Sequence, residues 1–533
     1  MTLKIKSDAL QSINPRNGEA IGEFASTPID EIPAIIQKVQ TASENWSNLS
    51  LKTRLELGKK AYRQFYFYQD EVAQIISAET GKPLAEAYSS EILPVLDCFK
   101  YYLKNTPKII RDQPIRSGNP IFKLRKGFVR YEPLGVILVI SPWNYPFLLA
   151  MQHIVPAILA GNVVIHKPSE QTTLTGLNIR EIFDRAYLPK GVLEIVTGLG
   201  DVGQALVNSK VDKIIFTGST AVGKKIYQSA AKNLVPVSME LGGNDCMIVL
   251  EDAPVERAVN GALWGAFCNA GQACLSVERL YVQEAIYETF VRMLVEKAGK
   301  IRLNSKNGTG DISCLINEAQ FEKVRRLAEN ARQKGASVVA GGKPRQELGA
   351  WFFEPTILTN VDRSMDVMQE EIFGPLLTVT PFSTEEEAVT LANGTEYGLA
   401  ASIWTQNRKR GLALAEKLQA GSVMINDLLI HIAQMEAPYN GHKNSGLGVT
   451  HGPWGVMEVM QPKFINTDRP LLRRFLSLFA RRLVNNDIWW FNYSENAVNR
   501  FKVFTDFLHG HGLWKRLRSL PAVVKAVFRN DYL

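Results

Sequence analysis

Residues 134–166 contain no Asp, Glu, Lys or Arg. A transmembrane helix has that length, but Pro142, Asn144, Pro146, Pro156, Gly161 and Asn162 interrupt the run, and breakers at that density fit several short elements better than one span. The pattern predicts a strand over GVILVIS, a turn at PWNYP, a helix over 147–160 and a strand over NVVIH. The alternation continues with a polar helix near 173–187, strand VLEIV, a helix over 201–208, strand KIIFT, a helix over 221–231 and strand PVSME. Five short apolar strands separated by helices predict a doubly wound parallel sheet, whose ligands bind beyond the carboxyl ends of the strands. A helical stretch over about 29–102 is expected to pack on it.

A second alternation begins after Gly243, with helices near 255–268, 286–298, 321–334 and 408–419 and strands ASVVA, ASIWT and SVMIN between or after them. This predicts a second α/β domain. Residues 113–131, with Phe122, Leu124, Phe128, Val129 and Tyr131, read as a strand pair projecting from the first domain.

Composition changes the picture at one end only. The chain has 533 residues, 46% apolar and 21% charged, which places it among folded globular proteins. Of the net charge of +8, residues 470–533 carry +7, with 11 Lys and Arg against 4 Asp and Glu, and they hold 12 of the 49 aromatic residues. A nearly neutral body thus carries a basic, aromatic tail. The five cysteines form no CxxC pair, and MTLKIKSDALQSINP lacks an apolar signal core, so reduced thiols and a cytoplasmic location are expected.

Gly198, Gly200 and Gly203 spell GxGxxG, but KIIFTGST offers no acid at the end of the next strand, so a plain tight turn is the preferred reading over a dinucleotide fingerprint. Lys167, Ser169 and Glu170 follow strand NVVIH, where an ammonium and a carboxylate could grip a ribose or simply form a solvated pair. Gly218 and Ser219 open a helix after KIIFT, a place for a pyrophosphate. Cys274 lies among small residues in FCNAGQAC, expected between helical segments. Glu240 ends strand PVSME where the two domains meet, and Asn144 could present its N–H₂ to an oxyanion. The other four cysteines read as inert core. No HExxH occurs and His509 and His511 have no cysteine or carboxylate cluster beside them, so no metal site is expected, and no zinc-finger or RNP pattern accompanies the basic tail to suggest nucleic acid.

Taken in order, SPWNYP, KPSE, FTGSTAVGK, MELGG, FCNAGQACLSVER, EEIFGP and NSGLG make residues 10–467 resemble the aldehyde dehydrogenase superfamily. The resemblance implies Cys274 as nucleophile, Glu240 as general base, and Asn144 with the Cys274 backbone N–H as oxyanion hole. It implies Lys167 and Glu170 at the adenosine ribose, Gly218 and Ser219 at the pyrophosphate, and Glu371 and Phe373 at the nicotinamide ribose and ring, with Pro142, Trp143 and Ser169 in the same cofactor-binding set. NAD is the expected cofactor, with NADP the alternative. The implied organisation is a cofactor-binding domain over 1–112 and 132–241, a catalytic domain over 242–445, an oligomerisation arm over 113–131 and 446–469 that would build a homodimer or homotetramer, and an extension over 470–533. The chain departs from the family at Pro438-Tyr439-Asn440-Gly441, where many members have PFGG. The uncharged Ala273 and Leu275 beside Cys274 suit an apolar substrate, or are simple packing residues.

In LLRRFLSLFARRLV, residues 471–484, one helical face carries Leu471, Leu472, Phe475, Leu476, Leu478, Phe479 and Leu483, and the opposite face Arg473, Arg474 and Arg481. Such a basic amphipathic helix lies on an anionic membrane or packs as an arm; family members acting on fatty aldehydes are similar in carrying a membrane-docking extension. The expected function is oxidation of a lipophilic aldehyde to its acid at the cytoplasmic face of a membrane, against a cofactor-independent thiol esterase or a non-catalytic scaffold.

Overall fold

The structure is a computed structural model describing residues 9–118, 125–303, 309–468 and 495–528. Its described residues up to Ile110, with Pro133–Gln461, form one unit; Arg111–Glu132 and the described residues from Pro462 onward form another. The first unit opens with a hairpin that the sequence pattern did not announce, β1 (Ala9–Ile13) antiparallel to β2 (Ala20–Ala25). Helices Ile32–Ser47, Leu51–Thr80 and Leu93–Ile109 follow. Ser50 caps the second by accepting from Thr53 N, and Gly81, at φ +76, ends it.

In the second unit β3 (Gln113–Ile115) pairs antiparallel with β4 (Arg125–Pro133), as the strand-pair pattern anticipates. All five strands predicted after it form: β5 (Val136–Ile140), β6 (Val163–Lys167), β7 (Leu193–Ile195), β8 (Lys213–Thr217) and β9 (Val237–Glu240). Their spatial order is β9-β8-β5-β6-β7, all parallel. The chain winds outward from β5 to β7 and then returns to β8 on the other side, so the winding reverses between β5 and β8 and leaves a crevice at their carboxyl ends. Helix Leu148–Ala160 explains the uncharged run: all of its residues are buried, and it packs on helices Leu51–Thr80 and Leu93–Ile109. A helix enclosed on every side cannot show an amphipathic stripe.

The second sheet has seven strands: β10 (Asp245–Val249), β11 (Val277–Gln283), β12 (Ser337–Ala340), β13 (Thr356–Thr359), β14 (Leu376–Phe382), β15 (Ala400–Trp404) and β16 (Ser422–Ile425). Their order is β12-β13-β14-β11-β10-β15-β16, with only the edge strand β12 antiparallel. The helix expected over 408–419 stops at Ala415, because Lys417 N and Leu418 N bond to Leu414 O and Ala415 O three residues back.

One boundary is corrected. Residues 446–459 do not belong to the arm: β17 (Gly446–Leu447) pairs antiparallel with β9, and helix Gly452–Met457 packs on helices Leu93–Ile109 and Leu148–Ala160. Gly446 makes the pairing feasible, since a Cβ there would lie 2.6 Å from Met239 O. Only β18 (Met460–Asp468) reaches the three-stranded arm sheet, in the order β18-β4-β3.

The tail contributes helices Glu495–His509 and Leu513–Phe528, which pack on each other. The amphipathic stretch 471–484 and IWWFNY lie outside the described residues. Among the described residues no helix is long and apolar enough to cross a membrane.

Candidate active site

Three strand ends converge on the crevice. β5 runs into Pro142, Trp143 and Asn144, β8 into Gly218 and Ser219, and β9 ends on Glu240. These residues line a cavity of about 210 Å³ together with Cys274, Gln320, Lys323, Glu371 and Phe373. Lys167, Ser169 and Glu170 do not line it. They follow β6, one strand along the same row of carboxyl ends, where Ile140 pairs with Lys167; the buried Lys167 Nζ lies 4.0 Å from Glu170 Oε2 and donates to Pro168 O at 3.1 Å. The GxGxxG glycines lie beside the edge strand β7 and supply no cavity residue. A larger cleft of about 800 Å³, lined by Leu263, Trp264 and Phe267 among others, shares no residue with this cavity.

Cys274 sits between helix Val255–Phe267 and β11 rather than between helices. Asn269, Ala270 and Gly271, at φ +50, +56 and +73, wind the connecting loop. Hydrogen bonds from side-chain amides then hold it to the PWNYP turn. Asn144 Nδ2 donates to Gln272 O at 3.0 Å, and Asn269 Nδ2 donates to both Asn144 O and Gln272 O at 3.1 Å. The Gln272 side chain is itself fixed by Ile316 N, which donates to its Oε1 at 2.9 Å. On the other side the MELGG backbone passes so close that a Cβ on Gly243 would lie 2.1 Å from Cys274 O.

Cys274 is partly exposed, whereas Cys98, Cys246, Cys268 and Cys314 are buried. Burial pushes the Cys274 thiol up to about 12, opposed by the Tyr439 hydroxyl 3.8 Å from Sγ and reinforced by the carboxyls of Asp245, Glu371 and Glu240. Burial also pushes Cys246 up to about 11 and Cys314 to about 12. Access to the cavity, rather than acidity, distinguishes Cys274. Glu240 is 5% exposed, and neither carboxyl oxygen has a hydrogen-bond partner. Burial raises it well above the ordinary carboxylate range, with the Thr450 side chain opposing. An enclosed carboxyl that lines the cavity can exchange a proton with a small molecule there.

The remaining lining residues fit a nicotinamide dinucleotide. Ser219 caps helix Thr220–Ala231, accepting from Val222 N, so the first-turn N–H groups and the positive end of the helix dipole attract phosphate. Glu371 accepts from Gly243 N at 3.0 Å, leaving carboxylate capacity for ribose hydroxyls. Phe373 is held at φ +53 with its ring edge-on to Trp143, centroids 5.4 Å apart. The buried Glu278 fixes it there, accepting from Ile372 N and Phe373 N at 2.8 Å and from Asn244 Nδ2 at 2.8 Å, while Gln320 Nε2 donates to Phe373 O at 2.7 Å. Among the described residues no group of His, Cys, Asp and Glu is placed to hold a metal ion.

Sequence reasoning did not single out Glu278, Asn269, Gln272, Gln320 or Lys323. A signal existed for Glu278, since it stands with Arg279 among apolar residues in VERLYV, and charged residues must be hydrogen-bonded when buried.

A sequence model of the aldehyde dehydrogenase family matches residues 3–465. The chain is 37% identical to a 4,4'-diapolycopene aldehyde oxidase from Methylomonas sp, covering 94% of this chain and 91% of that protein. It is 36% identical to the peroxisomal aminoaldehyde dehydrogenase 1 of Pisum sativum, covering 87% and 94%. A crystal structure of betaine aldehyde dehydrogenase from Staphylococcus aureus in complex with NAD+ superposes with a TM-score of 0.83 at 32% identity, covering 91% and 94%. The chain therefore belongs to the aldehyde dehydrogenase family and is an NAD(P)-dependent aldehyde dehydrogenase.

Proposed function

We propose that this enzyme oxidises a lipophilic aldehyde to its carboxylic acid through a thioester on Cys274, at a membrane surface. The observation that carries the chemistry is the meeting of Cys274, Asn144 and the unpartnered Glu240 on one cavity. The Cys274 thiol gives its proton to the Glu240 carboxylate, which passes it to solvent, and the thiolate adds to the aldehyde carbon, forming a C–S bond and placing the negative charge on the former carbonyl oxygen. Asn144 Nδ2–H and the Cys274 backbone N–H hold that alkoxide. Bound NAD or NADP supplies the acceptor for the hydride that the alkoxide expels. The acyl group stays on sulfur until Glu240 takes a proton from water, whose oxygen attacks the thioester and releases the acid and the Cys274 thiolate. Glu170, followed along β6 from the crevice, favours NAD because a carboxylate accepts from a free 2′-hydroxyl and repels a 2′-phosphate.

Two observations support the lipophilic substrate. The alignment with the diapolycopene aldehyde oxidase covers 94% of the chain, about 500 residues, so it extends past residue 468 into the tail, whereas the aminoaldehyde dehydrogenase alignment covers 87%. The described tail helices expose Phe501 at 67% and Trp514 at 78% beside Lys502, Arg516 and Arg518. Assembly through the arm sheet, as a dimer or tetramer, belongs to the same reading. The test is cofactor reduction by the purified enzyme with a polyene or long aliphatic aldehyde against propanal. A higher kcat/KM for the long substrate supports the proposal; equal or lower values reject the lipophilic preference, and ester cleavage without any cofactor reduction rejects the oxidation itself.

A further inference from the structure

We infer that the buried Lys82–Glu91 ion pair is a positioning device for Asn144; the inference rests on the oxyanion role proposed for that residue. Gly81 turns the chain sharply at the end of helix Leu51–Thr80, and Lys82 follows with its side chain fully buried. Glu91, equally buried, lies in a single π-helical turn, Tyr88–Ile92, that interrupts the helical path before Leu93–Ile109. Such turns insert a residue and redirect side chains, and they recur at functional sites.

The pair grips both ends of one short segment. Lys82 Nζ donates to Glu91 Oε1 at 2.7 Å and to Asn144 O at 2.8 Å, and stands 4.1 Å from the centre of the Tyr145 ring. Glu91 Oε2 accepts from Phe147 N at 2.8 Å and Leu148 N at 3.2 Å, at the start of the buried helix Leu148–Ala160. An ammonium has three donors, and carboxylate, carbonyl and ring face engage them.

A fully desolvated ion pair is a poor route to stability, because well-packed apolar residues of similar volume serve as well or better. What it provides here is direction. Asn144 Nδ2 carries two hydrogens, and one is committed to Gln272 O at 3.0 Å. With that bond made and the Asn144 backbone carbonyl held by Lys82 and by Asn269 Nδ2, the backbone and one side-chain hydrogen are fixed, which leaves the second hydrogen for a ligand in the cavity. Asn144 therefore offers a donor oriented before substrate arrives, and Lys82 acts through it without touching the reacting atoms.

The experiment is a double-mutant cycle on the full chain. Lys82→Met with Glu91→Gln removes both charges together, retains volume and keeps an oxygen for Phe147 N and Leu148 N. The pair variant is compared in the wild-type and Asn144→Ala backgrounds by kcat for aldehyde oxidation and KM for the cofactor. The expected result is a fall in kcat of about tenfold or more with Asn144 present, a fall of less than about twofold with Asn144 absent, and little change in cofactor KM. Equal losses in both backgrounds, or no loss in the first, would overturn the inference. Undiminished kcat in Asn144→Ala alone would instead reject the oxyanion reading itself. If the pair variant does not fold, Lys82→Arg, which keeps the charge but replaces the compact ammonium with a planar fork, enters the same cycle under the same two criteria.

Discussion

Asn144 Nδ2 and Asn269 Nδ2 donate to the same acceptor, Gln272 O, at 3.0 and 3.1 Å. One carbonyl thus ties the turn after β5 to the loop that carries Cys274. Asn269 reaches both carbonyls from a left-handed conformation, φ +50, which asparagine tolerates better than most residues. Asn144→Ala removes the oxyanion donor and should lower the rate of hydride transfer by about 10²–10³-fold. Asn269→Ala leaves that donor but frees the loop, and a milder loss of about tenfold is expected. Stopped-flow measurement of the first turnover of cofactor reduction separates the two; a wild-type rate in Asn269→Ala would show that the shared carbonyl does not govern alignment.

Glu278 supports the Phe373 side of the cavity. Its carboxyl is pushed up to about 8 by burial, with Glu371 adding and the Ile372 and Phe373 N–H groups opposing. Glu278→Ala leaves those two N–H groups without their acceptor and releases Phe373 from its positive φ, so KM for the cofactor should rise about tenfold or more. Glu278→Gln keeps an oxygen in place and should stay within about threefold of wild type. A Glu278→Ala enzyme with unchanged cofactor KM would remove the clamp from the cofactor site.

What the sequence shows of this fold follows from which faces each element buries. β5, β6 and β8 are apolar runs buried on both sides, and each was legible. β11 was not, because Glu278 and Arg279 interrupt its apolar pattern, although both are buried and hydrogen-bonded. Cys274, Glu240 and Asn144, which the motif resemblance picks out, line one cavity in the fold. Asn269, Gln272 and Lys82 were hidden because they bond to backbone groups distant in sequence, Asn269 and Lys82 to Asn144 O and Gln272 to Ile316 N, and a backbone group leaves no mark on composition. The arm boundary failed for a related reason. Gly446 and Leu447 are too short a strand to show periodicity, and only the approach to Met239 O reveals why glycine stands there.

Cys274→Ala should abolish both oxidation and ester cleavage, whereas Glu240→Gln should slow only the release of the acyl group. Intact-mass measurement after one turnover should then find the substrate acyl retained on the Glu240→Gln enzyme and absent from Cys274→Ala. Full steady-state turnover by Glu240→Gln would take Glu240 out of the mechanism.

Glu240 also makes stability depend on pH. In the unfolded chain it ionises near the ordinary value of about 4.3, and in the fold burial raises it well above that range. Below the unfolded value the carboxyl is neutral in both states and its contribution is fully present. As pH rises towards the folded value the unfolded chain ionises first and the contribution is lost. Glu240→Gln never ionises, so its Tm relative to wild type should increase as pH rises above the unfolded value of about 4.3 towards the raised folded one. A constant difference across that range would show that Glu240 is not desolvated in solution.

The tail carries +7 of the net charge of +8 in residues 470–533, and its described helices place Phe501 and Trp514 in the open beside basic side chains. Each basic residue near an anionic leaflet contributes about 1 kcal/mol, and insertion of aromatic and aliphatic side chains adds apolar burial, so peripheral attachment requires no spanning helix. Full-length enzyme should float with vesicles containing phosphatidylserine at low salt and be partly released at high salt, because the electrostatic share is screened. Truncation before residue 470 should abolish flotation while leaving turnover of propanal within about twofold, since none of the cavity residues lies in the tail. Selectivity for the long aldehyde presented in vesicles should fall in the truncated enzyme, because the membrane no longer concentrates enzyme and substrate together. Failure of the full-length protein to float at low salt would make the tail a packing arm and would leave the lipophilic preference to be decided by kcat/KM in detergent alone.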